Sequence, residues 1–216
     1  MLRELIISDK NTSQEDLLKY FGASSNYLVD RLCMPAGLIP QLHPYVDDFS
    51  YISSLIDFPY GWSSSKNRVS EIISAYHMGI KTMDFVLSPY HITNFNVLKI
   101  QKELETLSNL KKEYSIELRP ILEYRLFDVV DCISVGEILM NFGFKTIVVS
   151  TGTMVDDKND NMLVSLELSD IGLDVITCSR LMSKTFMSDL DSIEVYGVRF
   201  CSIFAAETAL GQLTTQ

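Results

Sequence analysis

Two acidic residues stand in β-rich runs of the sequence, where they could point into a shared interior. Asp84 lies within the apolar run Thr82–Ser88, and Glu123 ends the run Ile116–Glu123. Side chains alternate between the two faces of a strand, so Asp84 shares a face with Thr82 and Val86. Asp84 points inward if that face lines the interior. A carboxyl group that is buried without a partner titrates above its usual range, which suits a general acid or base. The sequence therefore offers Asp84 and Glu123 as catalytic candidates for proton transfer.

Both acids also have a structural interpretation, and the sequence leaves the two interpretations open. Asp84 would then be a hydrogen-bonded core acid held by Arg119, since an ionised carboxylate does not stay unpaired in a core. Glu123 would form an ion pair with Arg119 or with Arg125. In either case we expect Asp84 to be buried and to point inward.

Further polar groups follow the predicted strands and are candidates for binding a small ligand. Backbone amides in a turn such as Ser150-Thr151-Gly152 can hold an anion. Only one histidine, His91, lies in this set, and one histidine does not make a zinc site. We expect neither a metal nor a cofactor. The binding candidates are Asp57, Tyr90, His91, Ser150, Thr151, Gly152, Ser179, Arg180 and Ser202.

Eight short β-rich runs alternate with longer amphipathic segments, and this alternation must position the candidates. Strands that are apolar on both faces are typical of a parallel sheet covered by helices. Eight βα units without a Gly-rich fingerprint after the first strand favour an α/β fold of the (β/α)8 TIM-barrel type, as a single domain over residues 1–216. Chemistry in such barrels lies at the carboxyl ends of the strands. The predicted strands are Leu2–Ser8, Tyr27–Met34, Ser50–Asp57, Thr82–Ser88, Ile116–Glu123, Thr146–Thr151, Leu173–Cys178 and Val198–Ser202.

Composition excludes several classes of protein. Hydrophobic residues make up 47% of the 216 residues, and the net charge is -10. An acidic surface repels nucleic acid, so we expect no such partner. No apolar run reaches the length of a membrane span, and the first residues lack the apolar core of a signal peptide, which predicts a soluble cytoplasmic protein. The four cysteines form no CxxC pair and are expected to be buried, reduced thiols.

Four segments, in order along the chain, resemble the deoxyribose-phosphate aldolase family. They are IDFPYGWSSSKNRVSEI, MDFVLSPYHI, ELRPILE and GFKTIVVSTG. The first is similar to the family's third strand and F-P-x-G turn, and the last aligns without gaps to its G-A-D-F-I-K-T-S-T-G. The resemblance implies a (β/α)8 barrel and a class I aldolase, a lyase acting on a small sugar phosphate. It also implies that Asp84 matches an acid of the family's proton relay.

The chain departs from the family's pattern at the residues that carry its chemistry. Val148 stands where the resemblance places the Schiff-base lysine, and Ile176 stands near the second lysine. The glycine pair that helps bind phosphate falls at about Ser179 and Arg180. An acidic residue of the family's first strand matches Arg3. The resemblance therefore carries the fold over to this chain, but not the activity.

Three functional hypotheses follow. The first is a diverged relative, or pseudoenzyme, that keeps a small-molecule pocket at the barrel mouth for a phosphorylated or carbonyl ligand. The second is a lyase or isomerase that transfers protons with Asp84 and Glu123. The third is an aldolase whose nucleophile has moved to Lys66 or Lys184, which follow the third and seventh strands. The sequence leaves a homo-oligomer open. It predicts that the wild type does not cleave 2-deoxyribose 5-phosphate, because an alkyl side chain cannot form the iminium.

Overall fold

Parallel pairing runs from each strand to the next and closes between the last strand and the first. The computed structural model describes residues 1–8, 12–26, 29–42, 44–46, 48–94 and 96–211. The closed (β/α)8 barrel confirms the predicted fold, and the first strand begins at Leu2 as expected. The strands are β1 Leu2–Ile6, β2 Arg31–Pro35, β3 Ile52–Ile56, β4 Thr82–Val86, β5 Glu117–Ile121, β6 Thr146–Val148, β7 Asp174–Ser179 and β8 Gly197–Phe200.

Helices follow the strands and cover the outside of the barrel. Side-chain caps fix where several of them begin: Ser64, Asp128, Asp157 and Ser183 each accept a hydrogen bond from an amide of the first turn. No described helix is long and apolar enough to cross a lipid bilayer. The helices are α1 Gln14–Asn26, α2 Ser65–His77, α3 Pro89–Thr93, α4 Val97–Tyr114, α5 Val129–Asn141, α6 Lys158–Asp170, α7 Lys184–Ser192 and α8 Ile203–Leu210.

Two predicted elements extend into residues outside the described part of the chain. The predicted strand Tyr27–Met34 includes positions 27 and 28, and the observed strand begins at Arg31. The sequence also predicts a short helix over residues 204–213; α8 ends at Leu210, and positions 212 and 213 lie outside the described residues.

The apolar core has two layers, one between strands and helices and one inside the barrel. Alternation along β1 shows the division: Leu5 packs in the outer layer, whereas Ile6 packs in the inner one. Register therefore decides which side chains meet at the barrel axis. The buried members of the inner layer are Ile6, Cys33, Leu55, Val86, Ile121, Val148, Ile176 and Cys178.

Candidate functional site

A fully buried ion network occupies the barrel interior. Arg119 donates from Nε to Asp84 Oδ1 at 2.6 Å and from Nη1 to Glu4 Oε1 at 2.7 Å. Arg199 Nη2 donates to Glu4 Oε2 at 2.6 Å and to Asp84 Oδ2 at 2.7 Å. Ser53 Oγ adds a hydrogen bond to Asp84 Oδ2 at 3.0 Å. Each guanidinium thus bridges both carboxylates, and the four charges balance.

The position of Asp84 confirms that it is buried, points inward and binds Arg119. Burial raises the pKa of its carboxyl group, but Arg119 and Arg199 together outweigh burial and lower the pKa to about 2. Asp84 is therefore ionised at neutral pH. The condition under which it would titrate high, namely burial without a partner, is not met.

Sequence reasoning missed two charged members of this network. The inward acid of the first strand is Glu4, not a residue at Arg3: the Arg3 side chain is partly exposed and its backbone amide binds Asp30. Glu4 is fully buried, as is Arg199 on β8. A lone arginine in the apolar run YGVRFCSIF was the available signal for Arg199, since a charge there needs buried partners.

Among the described residues, Glu4, Cys33 and Asp84 bring potential metal-ligand atoms within 4.8 Å of one another. Both carboxylates already bind Arg119 and Arg199. These two cations would repel a metal ion from the same oxygens. The group is better described as part of the ion network than as a metal centre.

The positions assigned to the family's lysines lie in the inner apolar layer. Val148 and Ile176 are register partners on β6 and β7, and neither has exposed surface. Lys66 is exposed in the first turn of α2, and Lys184 is exposed at the start of α7. Of the other described lysines, Lys111 alone is half-buried, and it donates to the carbonyl of Gly143. The described lysines on the surface are Lys19, Lys66, Lys81, Lys99, Lys102, Lys112, Lys145, Lys158 and Lys184.

Glu123 lies at the carboxyl end of β5 and binds hydroxyl and amide groups rather than a cation. Ser150 Oγ donates to it at 3.2 Å, Thr151 N donates at 3.0 Å, and the Thr151 hydroxyl makes a short hydrogen bond. The predicted ion pair with Arg119 or Arg125 is wrong. Arg119 is committed to the core network, and Arg125 pairs with Asp160 at 2.8 Å.

The electrostatics of Glu123 are opposite to those of Asp84. Burial raises the pKa of Glu123 and outweighs the hydrogen bonds from Thr151 and Ser150, which lower it. Its backbone has a φ of 55°, a left-handed conformation that is uncommon outside glycine. Such conformations concentrate at functional sites, where the surrounding structure maintains them.

An open cleft of about 1060 Å³ lies at the carboxyl ends of the strands. Glu123 is connected to it through hydroxyl groups, because Thr151 Oγ1 lies 2.7 Å from Thr153 Oγ1 and Thr153 lines the cleft. Arg180 contributes an exposed guanidinium. The cleft is lined by Ser8, Thr12, Pro35, Gly37, Leu38, Phe58, Pro59, Tyr60, Thr153, Met154 and Arg180.

Tyr90 and His91 do not line this mouth cleft. They line a second cleft of about 880 Å³, together with Ser88, Lys99 and Lys102. The stacked rings of Tyr60 and Trp62, with centroids 4.9 Å apart, lie between the two, since each ring lines one of them. Of the predicted binding residues, Arg180 lines the mouth cleft, Tyr90 and His91 line the second cleft, and the others line neither.

Other predicted binding residues have structural partners. Asp57 accepts from Arg68 Nη2 at 2.6 Å and from the amide of Ser63 at 2.9 Å. Ser179 is buried and accepts from the amide of Leu181. Ser202 is the N-cap of α8. In the turn after β6, Gly152 donates its amide to Ser150 Oγ at 2.9 Å, which folds the turn onto Glu123.

Comparison with known proteins agrees with this architecture. No protein-family profile matches the chain. Deoxyribose-phosphate aldolases from two strains of Clostridium botulinum are 26% identical to it over 96 residues. That match covers 44% of this chain and only 43% of each relative's length.

Solved structures match over nearly the whole chain. An aldolase designated QR15 superposes with a TM-score of 0.80 at 14% identity, covering 96% of this chain and 92% of its own. The tetrameric deoxyribose-phosphate aldolase of Aeropyrum pernix gives 0.79 at 16% identity, covering 97% and 87%. The chain is thus similar to deoxyribose-phosphate aldolases, in fold over almost its full length and in sequence over part of it.

Proposed function

We propose that this protein is a deoxyribose-phosphate-aldolase-like barrel that does not perform Schiff-base chemistry and that binds a small phosphorylated or carbonyl compound at its mouth. One observation carries the proposal. Val148 and Ile176, at the positions assigned to the family's lysines, pack together in a fully buried apolar layer, and the described lysines lie outside it.

Schiff-base catalysis requires a neutral amine within bonding distance of the substrate carbonyl. The iminium that it forms is the electron sink that makes the carbon–carbon bond labile. A valine or isoleucine side chain offers no nucleophile. The carboxylates of the core network do not replace it, because they lack an amine and are bound by arginines.

The mouth cleft supports ligand binding because it combines an apolar wall with a few polar groups. Phe58 and Tyr60 contribute apolar surface, Ser8 and Thr153 contribute hydroxyls, and Arg180 contributes a positive charge in an otherwise acidic protein. A guanidinium favours phosphate through paired hydrogen bonds. A short sugar phosphate or related carbonyl compound fits this chemistry.

Borohydride trapping tests the catalytic part of the proposal. The protein is incubated with a panel of aldehydes and 2-deoxyribose 5-phosphate, reduced, and weighed intact by mass spectrometry. We expect no adduct and no retro-aldol turnover, whereas a lysine-bearing aldolase run in parallel gives both. Turnover together with an adduct on Lys66 or Lys184 would place the nucleophile in a loop and overturn the proposal.

Calorimetry tests the binding part separately. We expect 2-deoxyribose 5-phosphate to bind more tightly than 2-deoxyribose, and Arg180→Ala to remove the difference. Arg125→Ala, which removes an arginine outside the cleft, is the matched control and should leave binding unchanged. Equal affinity for the two sugars would argue against phosphate recognition at Arg180.

A second candidate function is proton transfer next to a carbonyl group, with Glu123 as the general base. Its raised pKa and the hydroxyl path through Thr151 and Thr153 to the cleft favour it. Asp84 would contribute only its charge, because its low pKa keeps it ionised.

Exchange of the carbon-bound hydrogen of dihydroxyacetone phosphate in D2O, followed by NMR, tests this second function. Glu123→Gln should abolish the exchange and Glu137→Gln, on the surface of α5, should not.

Assembly is a further part of the proposal. The Aeropyrum pernix aldolase is tetrameric, and its fold is similar to that of this chain. We infer that this protein also forms a homo-oligomer. Light scattering after size exclusion tests this inference, and a mass equal to that of one chain, 24.5 kDa, would contradict it.

A further inference from the structure

Two thiols lie in contact at the mouth end of neighbouring strands. Cys178 is the second-last residue of β7, and Cys201 directly follows the end of β8. Their Sγ atoms are 3.4 Å apart. Cys178 is fully buried, while Cys201 is partly exposed. The pair therefore joins one fully buried residue to one that is partly exposed at the barrel mouth.

The turn after β6 packs directly on these sulfurs. Gly152 has a φ of 72°, and a Cβ atom built there would collide with Cys201 Sγ and lie 3.0 Å from Cys178 Sγ. The absence of a side chain at this position is what allows the turn to approach the thiols. The same turn binds Glu123 through Ser150. The thiol pair is thus part of the packing at the barrel mouth.

The other two cysteines have different surroundings. Cys33 is buried and its thiol points to Glu4 Oε2 at 3.6 Å. Cys132 is buried in α5. Neither residue has exposed surface, so neither is open to an oxidant from solution. They provide internal controls for the chemistry of the Cys178–Cys201 pair.

We propose that Cys178 and Cys201 form a redox-reversible dithiol, which a hydroperoxide converts to a disulfide. The Cys201 sulfur attacks the peroxide, the O–O bond breaks, and a sulfenic acid and water or an alcohol result. The Cys178 sulfur then attacks Cys201 Sγ, the S–O bond breaks, and the leaving hydroxide takes the Cys178 proton as water. The two sulfurs lose two electrons to the peroxide. A small dithiol reverses the reaction by thiol–disulfide exchange.

Geometry favours this outcome over oxidation of Cys201 alone. The Sγ atoms need to approach from 3.4 Å to about 2.0 Å. Both belong to ends of strands that are hydrogen-bonded neighbours, since Cys178 pairs in register with Arg199, two residues before Cys201. The resolving thiol is therefore in place before the oxidant arrives.

Peptide mapping of the full chain tests the proposal. The protein is treated with a stoichiometric amount of hydrogen peroxide, quenched, alkylated under denaturing conditions and digested with trypsin. We expect peptide 159–180 to be linked to peptide 200–216, with the loss of two hydrogen atoms in the intact mass. Dithiothreitol should restore both thiols, and Cys33 and Cys132 should remain alkylated throughout.

Variants separate an internal disulfide from other oxidation. Cys201→Ser should abolish the linked peptide, and Cys132→Ser should leave it intact; circular dichroism checks that each variant is folded. If Cys201→Ser does not fold, the wild-type peptide map decides the question by itself. Three results would overturn the proposal: sulfinic acid on Cys201 with Cys178 still reduced, a disulfide between two chains, or no thiol loss under conditions in which Cys201 is alkylated in the native protein.

Discussion

Val148 on β6 and Ile176 on β7 are register partners on neighbouring strands, and both are fully buried in the apolar layer inside the barrel. Side chains in such a layer interdigitate at close to crystalline density, so a longer or charged side chain has no room and no solvent. An amine at either position would therefore meet an environment that opposes its charge.

We predict that Val148→Lys lowers the free energy of unfolding by several kcal/mol, on the order of 3, because a lysine buried without a partner loses its hydration. It should give no more borohydride-trapped adduct than the wild type. Urea unfolding measures the first effect and mass spectrometry the second. Val148→Met, which is also larger but uncharged, should lose clearly less stability. Equal losses in the two variants would show that size rather than charge is responsible.

Asp84→Asn should be strongly destabilising. Removing the carboxylate leaves Arg119 and Arg199 with a single buried counter-charge, and breaking a buried pair in this way costs about 3–5 kcal/mol. Asp160→Asn removes an acid from the surface pair with Arg125 and should cost less than about 1 kcal/mol. Denaturant titration of both variants gives the comparison. A loss below about 1 kcal/mol for Asp84→Asn would mean that the network is not a net contributor.

The pH dependence of stability should report the same network. The pKa of Asp84 is lowered to about 2 from 3.8, and the pKa of Glu4 is also lowered. A lowered carboxyl pKa contributes stability that is fully present above the unfolded value and is lost as the pH falls toward the folded value. We therefore expect the free energy of unfolding to decrease between pH 4 and pH 2, by roughly 2 kcal/mol for Asp84 alone. If the free energy of unfolding depends less steeply on pH in Asp84→Asn than in the wild type, the loss belongs to Asp84. An unchanged pH dependence would contradict this assignment.

The sequence was sufficient for the architecture because each strand carries its own local signal. Runs such as Thr82–Ser88 are apolar on both faces, and that pattern predicts a parallel strand wherever it occurs. The inward position of Asp84 followed from alternation alone. These inferences use residues that are neighbours in the chain.

The ion network was only partly predictable because its members are far apart in sequence. Glu4 and Arg199 are separated by 195 residues, and burial of either charge is unfavourable without the other. On β1, the resemblance matched the family's acid to Arg3, whereas the register places Glu4 inward. The partners of Glu123 were missed for the same reason, since Ser150 and Thr151 reach it from a different strand.

Gly152→Ala should destabilise the barrel mouth more than Gly79→Ala does. Both glycines have positive φ, so both variants strain the backbone, but a Cβ at Gly152 also collides with Cys201 Sγ while Gly79 has open space around it. We expect the extra loss to be about 1–3 kcal/mol, the usual range for overpacking. Thermal and urea unfolding of the two variants measure it. Equal losses in the two variants would mean that the strand ends move apart easily to make room for the added methyl group. In that case, adding Cys201→Ala to Gly152→Ala should restore no stability.

Glu123→Gln should change the way stability depends on pH, in the direction opposite to Asp84. Because burial raises the pKa of Glu123, the folded protein holds its proton more tightly than the unfolded chain does. The stability that this contributes is fully present below the unfolded pKa of 4.5 and is lost as the pH rises through the folded pKa. Glutamine has no proton to lose, so the variant lacks this decline. Its stability relative to the wild type should therefore increase as the pH rises above 4.5, on top of a constant loss from the altered hydrogen bonds with Ser150 and Thr151.

Urea unfolding at a series of pH values measures the difference, and Glu137→Gln on the exposed face of α5 provides the baseline. A difference that does not vary with pH would mean that Glu123 is ionised as readily in the fold as in the unfolded chain, and it would remove the main support for Glu123 as a general base.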